Sequence, residues 1–417
     1  MKSLPGWRHA VGAPGHHRTP TRAGSPVPEE PDHRALVRLR SGAGVALVTG
    51  TVLASMVALF DSVAVNITVP AIGRDLDADV SGVQWVVTGY LLTVASLLLF
   101  SGVLIDHFGP RPVLITGLVV LLAASMLCAV VRITGELIAA RLLQGVGAAL
   151  VVPSSVALLN GTLRVADRAR GLGVWAGLST LGLTVGPYAG GWLADHASWR
   201  YVFLFNLPVI LPTLWVLRHV PAVGSSGGRL TVDVPGVLLT VGGLGGITYA
   251  LTAAPAAGWL SATVLAPGVL GLVCLAALAP VERRGHSPML HLSLFRSRQF
   301  NAVNVTTIVL FGALAAAAYL LGLQCQLQLG YSAAAAGAVL IPVSAVFLAL
   351  SPVVGGLVAR FGPRRPVLAG LLAITAALLW LSRLAPGDGY AQAILPGALL
   401  WGLGSGSRWR HSPRLSS

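Results

Sequence analysis

The chain has 417 residues, of which 55% are hydrophobic and only 10% are charged, and its mean hydropathy is +0.78. A soluble domain carries about 25% charged residues, so this composition excludes an ordinary water-soluble globular protein and predicts a chain surrounded mainly by lipid. The net charge of +14 is typical of nucleic-acid-binding proteins. That class is excluded because the basic residues lie scattered between apolar runs, without a basic stripe or interleaved aromatic residues.

Residues 1–41 are rich in Pro, Gly, His and Arg and show neither a helical nor a strand period. This composition predicts a flexible tail. The tail is too long and polar for the start of a signal peptide, and the apolar run after it is too long for a signal-peptide core. We therefore expect the first apolar segment to remain in the mature protein.

Eleven apolar segments follow. The length of each is close to that of a helix that crosses about 30 Å of hydrocarbon, which needs about 20 residues. The strands of a membrane barrel would be shorter and would alternate in polarity, so helices are expected. A twelfth segment begins near residue 391 and breaks off around Gly404. The eleven predicted spans are 44–69, 83–105, 112–131, 136–159, 171–192, 201–218, 235–256, 259–281, 300–323, 333–359 and 366–382.

The arginines predict the orientation of these spans. Most of them fall in the tail and in every second loop, whereas the other side has only four, accompanied by aspartates. The positive-inside rule then places the N-terminus in the cytoplasm. Four tryptophans cluster at the opposite interface, as in an aromatic belt: Trp85, Trp192, Trp199 and Trp259. The sequence thus predicts a multi-pass protein of the plasma membrane.

Asp61 lies inside the first apolar segment, slightly toward its extracellular end. An ionised Asp at the centre of a bilayer costs about 2.5–3.5 kcal/mol. It must therefore face a cavity, find a partner or take up a proton. Two interpretations remain, a carboxyl group that carries protons and a structural Asp that bonds to a neighbouring helix.

A short loop between the second and third spans holds Asp106, Gly109 and Arg111 in the sequence GVLIDHFGPR. The glycine and the following proline predict a sharp turn, and the charged pair is suited to latching helices at the cytoplasmic rim. The alternative is a plain topology signal. The segment recurs at 355–364 as GGLVARFGPR, and duplicated halves are typical of secondary transporters.

Arg141 begins the sequence RLLQGVGAALVVPSS in the fourth span, a little over one turn below the outer surface. Because Asp61 is also in the outer half, an ion pair between them is compatible with the sequence. An Arg that extends outward to lipid headgroups is equally compatible. Gln144 and Gly145 follow at i+3 and i+4, and they give a polar and small stripe suited to close helix approach.

Glycine and proline punctuate the fifth span, most densely at Gly186, Pro187, Gly190 and Gly191. Such a sequence would disrupt a soluble helix, but in lipid it permits tight helix packing and a kink. The three cysteines lie in separate apolar segments without the spacing of a metal site. No P-loop of the GxxxxGK[ST] type occurs, so we predict no ATP-driven engine in this chain. We also expect no cofactor, no metal and no enzymatic activity.

Taken in order, these motifs resemble the major facilitator superfamily, and more narrowly its fourteen-span drug–proton antiporter branch. The resemblance covers roughly residues 45–404. It rests on LFDSVAVNITVP, GVLIDHFGPRPVL, RLLQGVGAALVVPSS, the fifth-span glycine motif and SWRYVFLFNLPV. It implies proton coupling by Asp61, tuning of that proton site by Arg141 and sealing of the cavity by the fifth span.

The resemblance also implies an all-α polytopic membrane protein of the major facilitator fold. Its parts would be a cytoplasmic tail (1–41), an N-terminal six-helix bundle (42–220), an inserted helix pair (221–285), a partial C-terminal bundle (286–404) and a polar tail (405–417). The implied function is efflux of small-molecule drugs or secondary metabolites by alternating access, driven by the proton gradient. The implied partners are the substrate, protons and lipid, with no nucleic acid, and the chain is expected to be a monomer.

The chain departs from that branch at its end. Fourteen spans are expected, whereas the apolar pattern stops within the twelfth and continues as SRWRHSPRLSS. This departure predicts a C-terminally truncated protein. The alternative function is therefore a transport-inactive remnant of such an exporter.

Overall fold

The computed structural model describes residues 36–221, 234–284, 297–346, 349–350, 364–385 and 389–406. Most of the predicted N-terminal tail, most of the second copy of the repeated motif and most of the basic C-terminal tail lie outside these residues. From Val37 onward the described residues belong to one compact unit. All described elements except one isolated bridge are helical.

The helices are numbered in chain order. They are α1 (Gly42–Asp75), α2 (Val80–Phe108), α3 (Pro110–Val130), α4 (Thr134–Thr162), α5 (Val165–Ser179), α6 (Leu181–His196), α7 (Arg200–Leu204), α8 (Asn206–Arg218), α9 (Val234–Ala257), α10 (Ala262–Arg284), α11 (Arg298–Leu327), α12 (Ala333–Ala338), α13 (Arg364–Leu381) and α14 (Leu395–Gly406), with a π-helical turn at Tyr390–Ile394 before α14. Side chains cap several of them; Asp79, for example, accepts from the backbone N–H of Gly82 at the start of α2, at 2.8 Å.

Eight of the described segments are long and apolar enough to cross a membrane: α1, α2, α3, α4, α7 with α8, α9, α10 and α11. The prediction of an all-α multi-pass membrane protein is confirmed. The predicted fifth span is instead two helices, because α5 ends at Ser179 and α6 begins at Leu181. The predicted spans 333–359 and 366–382 are described only in part, as the apolar helices Ala333–Val346 and Leu368–Leu381.

The first six predicted spans pack around α1 and α4. α4 lies against α2 and α3, and α1 lies against α4, α6 and α8. Two clusters of buried apolar side chains fill this bundle, one around Leu47, Leu118 and Leu158 and the other around Phe60 and Phe203. Asp61 therefore lies where the two apolar clusters meet along α1.

We call the end of the bundle that holds Asp75 the Asp75 end, and the opposite end the Arg111 end. At the Asp75 end, Arg200 forms an ion pair with Asp75 at 2.6 Å and also donates to the carbonyl of Val131. At the Arg111 end, Val37, which precedes α1, donates its N–H to the carbonyl of Thr162 at the end of α4 and accepts from the N–H of Arg164. The segment just before α1 and the last residue of α1 are therefore each bonded to a neighbouring part of the bundle.

The helices after residue 297 pack near the Asp75 end of α1. A third apolar cluster combines Ile67 of α1 with side chains from α11 to α14, including Cys325, Ile374 and Trp401. The α9–α10 helices pack on each other, and α9 also contacts α2. Much of the α9–α10 surface is exposed, as expected for helices that face lipid.

The α6–α12 contact joins the first bundle to the later helices at the Asp75 end. The carboxylate of Asp195 accepts from the backbone N–H groups of Ala333 and Ala334, at 3.1 and 2.7 Å. Nearby, Gln326 of α11 donates to the carbonyl of Ile67 at 3.0 Å. These hydrogen bonds hold α1 and α6 against α11 and α12.

Candidate functional site

A cluster of polar side chains lies inside the first bundle, far from any polar surface. We call it the Asp61 cluster: Asp61 of α1, Ser125 of α3, Arg141 and Gln144 of α4, and Asn206 of α8. Asp61 is 0% exposed and Arg141 is 1% exposed. Four helices therefore contribute to one buried polar site, which contains one carboxyl and one guanidinium group.

The carboxylate of Asp61 accepts hydrogen bonds from two side-chain amides. Gln144 Nε2 donates to Oδ2 at 2.6 Å. Asn206 Nδ2 lies between both oxygens, at 3.0 Å from Oδ1 and 2.9 Å from Oδ2. A buried charge requires such donors, because each hydrogen bond that water supplied is lost on burial.

Arg141 reaches Asp61 through Gln144 and not by direct contact. Its Nη1 donates to Gln144 Oε1 at 2.5 Å, and its Nε donates to the carbonyl of Val86 at 3.1 Å. The guanidinium lies 4.2 Å from the centre of the Tyr90 ring, in the geometry of a cation–π contact. The side chain thus points into the protein, and Gln144 occupies the position where the sequence allowed a direct ion pair.

Gly145 brings α4 close to α2 beside this cluster. A Cβ atom at Gly145 would lie 2.6 Å from the carbonyl oxygen of Tyr90 and 2.8 Å from Cβ of Thr93. The missing side chain therefore allows the approach that places the Tyr90 ring against Arg141. The hydroxyl of Tyr90 donates to the carbonyl of Ala58 at 2.8 Å, which ties α2 to α1 one turn before Asp61.

Two members of the cluster, Ser125 and Asn206, were not predicted as site residues. Ser125 lies in an otherwise apolar stretch of α3, and Asn206 lies within the motif SWRYVFLFNLPV. A single Ser or Asn in an apolar span also occurs where a side chain only bonds its own helix. The available signal was their polarity inside apolar spans, and only the packing shows that both face Asp61.

The loop motif connects α3 with the end of α8. Arg111 donates through Nε to the carbonyl of Leu217 at 3.0 Å and through Nη2 to that of Arg218 at 2.7 Å. These carbonyls belong to the last turn of α8, where a cation is favourable. Gly109 turns the chain between α2 and α3 with φ of +85°, a conformation that favours glycine. Asp106 lies in the last turn of α2.

The glycine motif of the predicted fifth span packs α6 directly on α1. A Cβ atom at Gly190 would lie 2.7 Å from the carbonyl oxygen of Ala64, and one at Gly186 would lie 2.8 Å from Val63. Gly191, beside Gly190, faces the backbone of Ala333 at the start of α12. α6 is therefore in backbone contact with the helix that carries Asp61 and with the later helices.

Pro187 lies inside α6, and its carbonyl group faces Gly337. The absence of a Cβ atom at Gly337 allows the two backbones to approach, as at other small-residue helix contacts. The predicted kink of this span occurs as a helix break at Thr180, seven residues before the proline. Small residues therefore shape both faces of the α6–α12 contact.

A cavity of about 870 Å³ lies at the Asp75 end, between α1, α2, α6 and α11. Its polar lining includes Arg74, Asp77, Asp195 and Gln326. The α1 part of the lining begins at Val69, so the Asp61 cluster lies deeper in the bundle. Among the residues that the structure describes, no group of three or more His, Cys, Asp or Glu side chains is placed to hold a metal ion.

A family model described as the Major Facilitator Superfamily matches residues 51–409. The methylenomycin A resistance protein of Bacillus subtilis is 37% identical over 74% of this chain and 66% of its own length. The puromycin resistance protein pur8 of Streptomyces alboniger is 35% identical over 85% of this chain and 71% of its own length. The tetracenomycin C resistance and export protein of Streptomyces glaucescens is 32% identical over 84% of this chain and 64% of its own length.

The matched region of this chain thus spans about two thirds of the length of these relatives. Among solved structures, a peptide transporter of the POT type in complex with sulfate is similar, with a TM-score of 0.62 and 16% sequence identity. That match covers 89% of this chain and 82% of the transporter. At this level of identity the likeness concerns the fold alone.

Proposed function

The chain belongs to the Major Facilitator Superfamily, a family of membrane transporters, and on this premise we propose that it is a proton-coupled exporter of small-molecule drugs or secondary metabolites. The single observation that carries the proton coupling is the Asp61 cluster, a buried carboxyl group held by amides beside one guanidinium. Three relatives are named for resistance to methylenomycin A, puromycin and tetracenomycin C, and one of these names includes export. These names support efflux as the direction of transport and small organic molecules as the substrates.

We further assign the chain to the fourteen-span drug–proton antiporter branch. Support comes from the motifs around Asp61, Arg111, Arg141 and Gly190, which occur in the order typical of that branch. On this assignment the α9–α10 helices would be the extra pair between the two six-helix halves, and the relatives are longer than the matched region. We place the protein in the plasma membrane as a monomer, with the Arg111 end in the cytoplasm.

Charge supports the role of Asp61 as the proton carrier. With Asp61 ionised, its negative charge balances the positive charge of Arg141, and the buried cluster is neutral overall. Uptake of one proton leaves a net charge of +1 in the same volume. Because buried charge is costly, the two protonation states favour different surroundings, which is what coupling to a conformational cycle requires.

We propose that the structure represents the cytoplasm-facing half of this cycle. In support, the α6–α12 contact and the Gln326 hydrogen bond join the first bundle to the later helices at the Asp75 end, beside the cavity there. We propose that substrate enters from the Arg111 end while Asp61 is ionised, and that protonation from the other side drives the return.

The test uses everted membrane vesicles with an imposed proton gradient. We expect Asp61→Asn to abolish gradient-driven drug movement while it leaves membrane insertion and yield unchanged. Asp79→Asn is the matched control, since it also removes one carboxylate but keeps the capping of α2. Full proton-driven transport by Asp61→Asn would contradict the proposed role.

The alternative, an integral membrane protein that transports nothing, is decided by the same vesicles. Wild-type chain that inserts normally and moves no drug under any gradient would support this alternative. Gradient-driven movement by the 417-residue chain would exclude it. A substrate panel with methylenomycin A, puromycin and tetracenomycin C is the natural starting point, because the relatives carry those names.

A further inference from the structure

Each amide and hydroxyl hydrogen in the Asp61 cluster has an assignable partner. Arg141 can only donate, so the Gln144 amide must present its oxygen to Arg141 and its nitrogen to Asp61. Ser125 gives its hydroxyl hydrogen to the carbonyl of Leu121 at 2.7 Å. Its oxygen therefore accepts from both Gln144 Nε2 and Asn206 Nδ2, each at 2.8 Å.

Asn206 is the member of the cluster whose amide is not fully used. Its two N–H hydrogens are directed to Asp61 and to Ser125. Its oxygen, Oδ1, is buried and accepts no hydrogen bond. An unpaired buried acceptor is rare and unfavourable, and this one lies on the same amide group that contacts the carboxyl of Asp61.

On the basis of the proposed proton coupling, we propose that Asn206 is a positioning residue that changes its hydrogen bonds with the protonation state of Asp61. When Asp61 is ionised, Asn206 Nδ2 lies between the two carboxylate oxygens. When Asp61 gains a proton on Oδ1, the amide turns so that Asn206 Oδ1 accepts from that O–H, while Nδ2 remains bonded to Asp61 Oδ2. The result is a paired acid–amide ring with two hydrogen bonds.

The geometry gives this task to Asn206 and not to Gln144. Turning the Gln144 amide would place its N–H groups against the N–H groups of Arg141, two sets of donors without an acceptor. Turning Asn206 instead supplies a partner to an oxygen that has none. The step forms and breaks hydrogen bonds only, and the proton itself comes from the aqueous phase through the proposed transport cycle.

Asn206 also connects the carboxyl group to a break in the sixth predicted span. It is the first residue of α8, directly after Phe205, where α7 and α8 separate. The Phe205 ring lies 4.8 Å from that of Phe60 on α1. A change in the hydrogen bonds of Asn206 therefore occurs at the junction of α7 and α8, which packs against α1.

The experiment is infrared difference spectroscopy between acid and alkaline pH on the full chain in lipid vesicles, with ¹³C at the side-chain carbonyl of asparagine. In the wild type we expect a protonated-carboxyl band at acid pH, and a labelled amide band that moves to lower frequency over the same pH range. Asp61→Asn should remove both changes. Asn206→Leu should remove the amide change, whereas Asn66→Leu, which alters another asparagine with a buried oxygen, should leave both unchanged.

Efflux provides the second measurement. Asn206→Leu should lower proton-driven efflux by about tenfold, the order of one buried hydrogen bond, and Asn206→Ser, which keeps one donor and acceptor, should recover part of it. A carboxyl band that titrates while the amide band stays fixed would overturn the role of Asn206 alone. A complete absence of a titrating carboxyl band would overturn the proton coupling itself, and with it this inference.

Discussion

Replacement of Gly190 by alanine tests the backbone contact between α6 and α1. The added methyl group would lie 2.7 Å from the carbonyl oxygen of Ala64 and 3.2 Å from its Cα. These are backbone atoms, so the helices must move apart. Overpacking of this kind costs about 1–3 kcal/mol.

Gly177 provides a matched control on the same predicted span. A methyl group there would meet no atom within 4 Å. Both substitutions gain about 1 kcal/mol of helix propensity, so this gain cancels when the two variants are compared. An unfolding entropy of about 2.1 cal/mol/K per residue gives the compact unit that begins at Val37 a loss of about 1 °C of Tm per kcal/mol, and we expect Gly190→Ala to melt about 1–4 °C below Gly177→Ala.

The assay is thermal unfolding of the purified chain in detergent, followed by fluorescence of a fused reporter and by size-exclusion elution. Drug efflux in vesicles should fall for Gly190→Ala and remain near wild type for Gly177→Ala. Equal melting temperatures and equal efflux for the two variants would show that α6 does not rest on the backbone of α1. The reasoning from glycine contacts would then be wrong for the whole α6 surface.

Three further substitutions test the contacts around the cluster. Asp195→Ala removes the acceptor at the start of α12, and a lost cap of this kind costs about 0.5–2 kcal/mol. We therefore expect a cysteine placed in the Asp75-end cavity to react faster with a water-soluble maleimide. Unchanged labelling would contradict the α6–α12 contact. Arg111→Ala removes two hydrogen bonds from a charged group, which are worth about 1.5–3 kcal/mol when buried and less in this case, because one of them lies at the surface. The Tm should therefore fall for Arg111→Ala and stay unchanged for Arg132→Ala. Gln144→Leu leaves two buried charges beside an apolar group, so we expect both the Tm and efflux to drop sharply, whereas Gln328→Leu at an exposed position should be neutral in both measurements.

Polarity inside apolar segments allowed the sequence to single out three of the five side chains of the Asp61 cluster. Asp61, Arg141 and Gln144 stand out because charged and amide groups are rare in membrane spans. Composition and segment length likewise predicted the multi-pass helical fold, which the structure confirms. These features depend on local sequence and the thickness of the bilayer, so they are visible without any packing information.

The arrangement of the cluster could not be predicted because it depends on side-chain direction. Depth along two helices placed Asp61 and Arg141 near one another, but only the packing places Gln144 between them. Asn206 belongs to the same site through the orientation of α8, which follows a helix break at Phe205, three residues before Pro208. The break at Thr180 likewise lies seven residues from the proline that predicted a kink.

The fastening of α1 at both of its ends limits how this protein can move. With 34 residues and 1.5 Å per residue, α1 is about 51 Å long; Val37, just before it, is bonded to the end of α4, and Asp75, its last residue, is bonded to Arg200. These bonds resist sliding or tilting of α1 relative to the neighbours that it contacts. Spin labels on α1 and α4 should keep a constant separation through the transport cycle, while labels on α1 and α11 change theirs, so the first bundle would rotate as one rigid body.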